Sequence, residues 1–79
     1  MKQQLKTLHY QLSKKIDQLE EMHQQQTETY NSRSEAWQDS APGDYFFDRL
    51  EDIGDVIYQC KDLQQNLQQV LEDHYGERF

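Results

Sequence analysis

Between Tyr45 and Leu71 the apolar residues recur in alternating steps of four and three, and this spacing constrains the fold more than any other feature. Such steps place side chains on one face of an α-helix, in a nearly straight line that we call the seam. A second row, with residues seven apart, runs beside it. Together the two rows make a face too wide for one partner helix, so the stretch is predicted to lie at the centre of a bundle. The seam is Phe46, Leu50, Ile53, Ile57, Cys60, Gln64, Leu67 and Leu71, and the second row is Val56, Leu63 and Val70.

A narrower apolar line near the N-terminus predicts a first helix that covers the second. Its spacing shifts after Leu12, where a four-residue step replaces the expected three, in the manner of a stutter in a heptad. The line then fades after His23, through a run of glutamines. Its members are Leu5, Leu8, Leu12, Ile16, Leu19, either Met22 or His23, and Tyr30.

The middle of the chain carries two signals for a helix start. Ser32 followed by Glu35 fits a capping box, and Ser40 followed by Pro42 fits a start with proline in the first turn. The connection is therefore predicted within residues 31–43, with the second helix over about residues 42–74 and Gly76 placed to end it.

Two arrangements of this connection remain open. In the first, helix 1 covers about residues 3–38 and a tight turn near Ser40 sets Trp37 against Phe46, Tyr30 against Ile53, His23 against Cys60 and Leu12 against Leu71. In the second, helix 1 ends near Asn31, a short helical turn follows, and Leu12 faces Leu63. The two closely spaced serine signals favour the second arrangement. Both make the long helices antiparallel.

The predicted fold is all-α: a single antiparallel, coiled-coil-like helical hairpin over residues 1–79. A chain of 79 residues buries little apolar surface by itself. We therefore expect two hairpins to pair as a homodimer, a four-helix bundle. The residues expected at the dimer interface are Ile53, Val56, Ile57, Cys60, Leu63, Leu67, Val70 and Leu71.

The net charge of -7 is concentrated in the middle of the chain. Residues 1–19 carry +3, residues 20–55 carry -8 and residues 56–79 carry -2. Such a middle repels phosphate, which disfavours direct nucleic-acid binding and favours a basic protein partner. We use the name acidic band for five carboxylates of the second helix: Asp44, Asp48, Glu51, Asp52 and Asp55.

The single cysteine and the N-terminal composition indicate the compartment. Cys60 has no second cysteine with which to form an intramolecular disulfide, and it lies in phase with the seam, as a small buried apolar residue would. No segment has the apolar length of a signal peptide or of a membrane span. A cytoplasmic location without membrane contact is expected, in the host cytoplasm if a phage encodes the chain.

Twelve residues between positions 28 and 60 follow a spacing seen elsewhere: Glu28, Tyr30, Asn31, Ser34, Glu35, Gln38, Ser40, Gly43, Leu50, Glu51, Ile53 and Ile57. With them, residues 28–60 resemble a group of short bacterial and phage helical-hairpin proteins. In that group a segment of the form E-x-Y-x-N-x-P-E-S-L-Q-x-S-x-x-G leads into repeats of L-E-x-A-I. This sequence has Arg33 where the group tends to have proline and Trp37 where it tends to have leucine. The resemblance implies a hairpin and a phage or mobile-element origin, and it transfers no functional site.

No catalytic signature is present, and neither an enzyme nor a cofactor is expected. The chain has no glycine-rich strand-to-helix elbow and no convincing histidine partner for a nucleophile. Glu20 and His23 have the spacing at which a bundle helix offers two metal ligands, but the second helix places no inward carboxylate opposite them. A bundle metal site is therefore the least favoured hypothesis.

Five of the nine aromatic residues lie in the same third of the chain as the acidic band: Tyr30, Trp37, Tyr45, Phe46 and Phe47. In one interpretation they pack together and close the end of the hairpin, and the acidic residues keep that end soluble. In the other, Trp37, Tyr45 and Phe47 leave apolar area exposed within an acidic surround, which suits a basic protein. The leading hypothesis is an inhibitor of a nucleic-acid-handling host or defence protein; a coiled-coil scaffold or small virion component is the alternative.

Overall fold

A computed structural model describes all 79 residues, and it is an antiparallel helical hairpin without strands. Helix α1 covers Lys2–Asn31, the short helix α2 covers Glu35–Gln38, and helix α3 covers Ala41–Tyr75. The Cα atoms span 54 × 16 × 15 Å, so the molecule is a rod. Neither long helix contains a stretch apolar enough to cross a lipid bilayer.

The connection between the long helices is the second of the two arrangements described above. Helix α1 ends at Asn31, and α2 forms one turn before α3 begins. The serine that starts α2 is Ser34, whose hydroxyl accepts the Trp37 N–H at 3.2 Å. The expected capping box at Ser32 is wrong, because the Ser32 hydroxyl instead donates to the Thr29 carbonyl at the end of α1.

The start and the end of α3 follow the local signals. The Ser40 hydroxyl accepts the Gly43 N–H at 3.3 Å, and Pro42 lies in the first turn. The helix stops at Gly76, which has a left-handed conformation with φ of 69°. Both signals predicted from the sequence are confirmed, because a capping hydroxyl and a left-handed glycine satisfy the backbone groups that a helix end leaves free.

Three side-chain contacts define the register of α1 against α3. His23 Nε2 donates to the Leu50 carbonyl at 2.9 Å, so His23 faces the turn that contains Gly54. The Gln64 amide donates to the hydroxyl of Ser13, one position beyond Leu12. Leu12 therefore lies near the level of Leu63, as the second arrangement predicts. The pairing of His23 with Cys60, expected for a tight turn, does not occur.

The core of the hairpin is small. Only five of the 79 residues are buried, and the four hydrophobic ones are Ile16, Leu50, Ile57 and Leu71. Every member of the seam is buried or half-buried. On α1 the position left open between Met22 and His23 belongs to His23, and Met22 is exposed.

Two residues expected at a dimer interface lie instead inside the single chain. Ile57 is 8% exposed and Leu71 is 0% exposed. They are enclosed because the centre of the seam points directly at α1, which the periodicity of one helix does not reveal. The second row keeps its surface free, with Val56 48%, Leu63 58% and Val70 41% exposed.

A small ion-pair cluster ties the far end of the rod together. The Glu77 carboxylate lies 2.9 Å from Lys2 Nζ and 3.4 Å from Lys6 Nζ. The hydrogen bond from Lys2 is the largest cause that lowers the pKa of Glu77 from its ordinary value; desolvation opposes it, and the positive charges of Lys2 and Lys6 add to it.

This lowered pKa predicts an acid-dependent loss of stability. A depressed pKa in the folded state gives a stabilisation that is complete above the ordinary value of 4.5 and is lost as the pH falls through the folded value. We expect the Glu77→Gln variant to lose less stability on acidification than the wild type does. Urea titrations at a series of pH values measure this, with Asp62→Asn as the control. Parallel curves for wild type and Glu77→Gln would contradict the assignment.

Candidate interaction surfaces

The tip, formed by α2 and the first two turns of α3, is closed by a cluster of four aromatic side chains. The Tyr30 ring lies at its centre, with ring centroids 6.1 Å from Trp37, 5.9 Å from Phe46 and 5.7 Å from Phe47. Trp37 also meets Phe46 edge-on at 5.8 Å. Such tilted and offset contacts are favourable beyond the area they bury, and they hold α2 against both long helices.

Two arginines cover parts of this cluster. The Arg33 guanidinium lies 4.2 Å from the centroid of Trp37, and that of Arg49 lies 5.9 Å from Tyr45 and 5.0 Å from Phe46. Trp37 is half-buried and contributes mainly to the tip itself. Among the aromatic residues expected to meet a partner, Tyr45 is 70% exposed and Phe47 is 44% exposed. These two rings are the free apolar surface of the tip.

The acidic band lies on the same helix as these two rings. All five of its residues are exposed. The ion pairs of the structure involve only Glu77 and Glu20 as acids, so no carboxylate of the band is neutralised by a lysine or an arginine. Asp44 lies in the first turn of α3, where the helix dipole favours a negative charge.

A shallow groove runs along one side of the hairpin where Gly54 leaves space between α1 and α3. Near the tip its walls include Tyr30, Phe47 and Leu50, and its volume is about 280 Å³. Farther from the tip, a second part of the groove has a volume of about 510 Å³, and its walls include Asp17 and Glu21. It therefore changes from apolar to acidic with distance from the tip.

The Glu20 and His23 pair, considered above as metal ligands, is engaged with other groups. The Glu20 carboxylate lies 3.0 Å from Lys61 Nζ, and His23 Nε2–H donates a hydrogen bond to the Leu50 carbonyl. No three histidine, cysteine or carboxylate side chains come together as a metal site would need. The structure therefore gives the metal hypothesis no support.

Sequence reasoning missed two exposed apolar residues of α1. Leu8 was expected to pack against α3, and Met22 was one of two candidates for the position that His23 occupies, yet both are more than half exposed. Each lies seven residues from Lys15. This heptad spacing places the three side chains in one row on α1, and it was the signal for a second row beside the buried one. It was obscured because the spacing along α1 shifts after Leu12.

Comparison with known proteins assigns the hairpin to no family. No protein-family model, no curated protein and no solved structure matches the sequence.

Proposed function

We propose that the hairpin is a non-enzymatic interaction module that binds a basic protein partner at its tip. The observation that carries this proposal is the unneutralised acidic band beside the exposed rings of Tyr45 and Phe47. Asp44, Asp48 and Glu51 belong to the turns of α3 that also carry these rings. Apolar rings beside a group of negative charges suit a partner that presents lysine or arginine around an apolar patch.

Physical considerations explain how such a surface would act. A net charge of -7 on a rod steers a basic protein toward it, and the field acts over a Debye length of about 8 Å at physiological salt. Aromatic side chains supply most of the contact energy once the partner arrives. The same carboxylates repel nucleic acid, so the module competes with phosphate for a basic surface without binding phosphate itself.

The resemblance to bacterial and phage hairpin proteins narrows the partner class. A phage or mobile-element product of this charge suits the inhibition of a host or defence protein that handles nucleic acid. Proteins of that kind carry clustered lysine and arginine for their own substrate. An acidic rod that occupies this cluster would block the substrate by charge competition.

A second part of the proposal concerns assembly. Two hairpins form a four-helix homodimer, for which the exposed second row provides the support. The same row favours an alternative function, a coiled-coil scaffold or small virion component whose purpose is the assembly itself. That alternative predicts larger assemblies that are indifferent to salt. Light scattering across salt concentrations therefore separates a dimeric binding module from a scaffold.

Charge reversal in the acidic band is expected to abolish partner capture. The variant carries Asp48→Lys, Glu51→Lys, Asp52→Lys and Asp55→Lys, all at exposed positions, so the fold is retained. Purified wild type and variant are immobilised and exposed to lysate of the native host, and captured proteins are identified by mass spectrometry. A basic protein retained at low salt by the wild type alone, and released as salt rises, is the expected result.

A matched control separates the band from overall charge. Reversal of Asp17, Glu21, Asp62 and Asp73, which are also exposed, changes the net charge by the same amount away from the tip. This control should capture the partner more weakly than wild type but should still capture it. Equal capture by the wild type and the acidic-band variant would overturn the proposal.

A further inference from the structure

The exposed non-aromatic apolar residues of the two long helices lie on one side of the rod: Leu8, Met22, Val56, Leu63 and Val70. Each residue of an α-helix turns the side-chain direction by about 100°. On α1, with Ile16 pointing at α3, Leu8 and Met22 turn to one flank while Ser13 and Glu20 turn to the other. On α3, with Ile57 pointing at α1, Leu63 likewise falls on one flank and Lys61 on the other.

Two contacts decide how the flanks combine. Glu20 pairs with Lys61 at 3.0 Å, and Ser13 is hydrogen-bonded to Gln64. These contacts place the polar flank of α1 and the polar flank of α3 on the same side of the rod, together with the groove. The remaining flanks of both helices therefore share the opposite side, which we call the apolar face: Leu8, Lys15, Leu19, Met22, Val56, Leu63 and Val70.

The apolar face avoids acidic residues, although the chain has 15 of them. The row on α1 reads Leu8, Lys15, Met22, and the row on α3 reads Val56, Leu63, Val70. Every aspartate and glutamate of α1 projects to the flank of Glu20. On α3 only Asp52, one turn nearer the tip than Val56, projects to the side of the apolar face. A basic partner would gain few ion pairs here, whereas two copies of an acidic chain meet here with the least repulsion.

The two rows also have the symmetry that a two-fold interface needs. Leu8 and Met22 are equally spaced about Lys15, and Val56 and Val70 are equally spaced about Leu63. In the observed register Lys15 and Leu63 lie at the same level of the rod. A two-fold axis at that level, perpendicular to the helices, makes the patch complementary to itself.

We infer that a second copy of this chain covers the apolar face, with Leu63 on the two-fold axis. Val56 then meets Val70 of the second copy, and Leu8 meets its Met22. The Lys15 stem lies along the interface with its ammonium group in water. This inference rests on the self-association part of the proposed function and specifies its surface; Ile57 and Leu71 stay inside each hairpin.

The small core of the single hairpin favours this occupant. A chain with only four buried hydrophobic residues needs further cover, because small cores alone are marginal.

Leu63→Asp tests the face. Because it would bury two carboxylates against each other on the axis, it is expected to raise the dimer dissociation constant by about a hundredfold or more. Sedimentation velocity and circular dichroism measure mass and helix content. Gln65→Asp, which adds the same charge on the opposite flank of α3, should leave the dimer intact. A dimeric Leu63→Asp variant would show that the hairpin dimerises through a surface other than the apolar face. A monomeric wild type at micromolar concentration would overturn both the inferred interface and the proposed self-association.

A cross-link tests the axis in a protein that keeps its apolar face. In a Cys60→Ala background, Leu63→Cys should form a covalent pair on mild oxidation, because two cysteines on the axis come within disulfide reach. Gln65→Cys in the same background should remain unlinked. Failure of Leu63→Cys to link faster than Gln65→Cys would overturn the placement of the axis. Partner capture by the acidic band is scored separately and does not depend on this result.

Discussion

Truncation of Leu71 to alanine is expected to lower the free energy of unfolding by roughly 3–4 kcal/mol. Leu71 is 0% exposed and is the largest fully enclosed side chain of the hairpin. Its removal loses the transfer free energy of the deleted carbons and leaves a cavity that two rigid helices close poorly. Urea unfolding followed by circular dichroism measures the effect. In a chain with so small a core, this loss is a large fraction of the total stability.

Leu63→Ala is the matched control for this prediction, since it deletes the same atoms about two turns away on the same helix. Leu63 is exposed in the single hairpin, so its truncation should weaken stability only at concentrations where two copies associate. Leu71→Ala should destabilise at every concentration. Equal effects of the two variants at high dilution would mean that Leu71 is not the enclosed residue.

Replacement of Gly43 by alanine is expected to destabilise the hairpin by about 2–3 kcal/mol. Gly43 is buried in the first turn of α3, and a Cβ there would overlap the carbonyl oxygens of Trp37 and Gln38, reaching 2.5 Å from the latter. Both obstacles are backbone atoms, so no side-chain rotation relieves the overlap. The whole of α2 would have to move away from α3, and the aromatic cluster of the tip would loosen with it.

Gly54→Ala provides the contrast within the same helix. Its Cβ would lie 3.6 Å from His23 Nε2, an ordinary van der Waals distance. Alanine is the better helix former by about 1 kcal/mol, so this variant should be as stable as the wild type or more stable. Tryptophan fluorescence of Trp37 and thermal unfolding measure both variants. A Gly43→Ala protein that melts with wild-type Trp37 emission would contradict the close approach at the tip.

Much of the fold is readable from local patterns. The seam predicts a long helix, Ser40 with Pro42 predicts its start, and Gly76 predicts its end, because each of these features acts over only a few residues. The acidic band was also predictable as a solvated surface, because four acids within eight residues, Asp48 to Asp55, cannot all face a core without partners. These parts required no knowledge of how the helices meet.

The parts that local patterns missed depend on the relation between helices. Ser34 rather than Ser32 begins α2, and that choice sets where α1 ends. Trp37 was one of three aromatics expected to face a partner, yet Tyr30, Phe46 and Arg33 cover much of it. Which ring is covered depends on contacts made between elements, and a single helical wheel contains no such contacts.

The sequence by itself determined that the chain is helical, that it turns back in its middle third, and that its charge gathers near the turn. Helical periodicity, capping and charge depend on residues that are close together in the sequence. Only the tertiary structure decided how the wide face of α3 is divided, with Ile57 and Leu71 against α1 and with Val56, Leu63 and Val70 left free. That division depends on the rotation and register of α1 against α3, and these follow from packing between residues far apart in the chain.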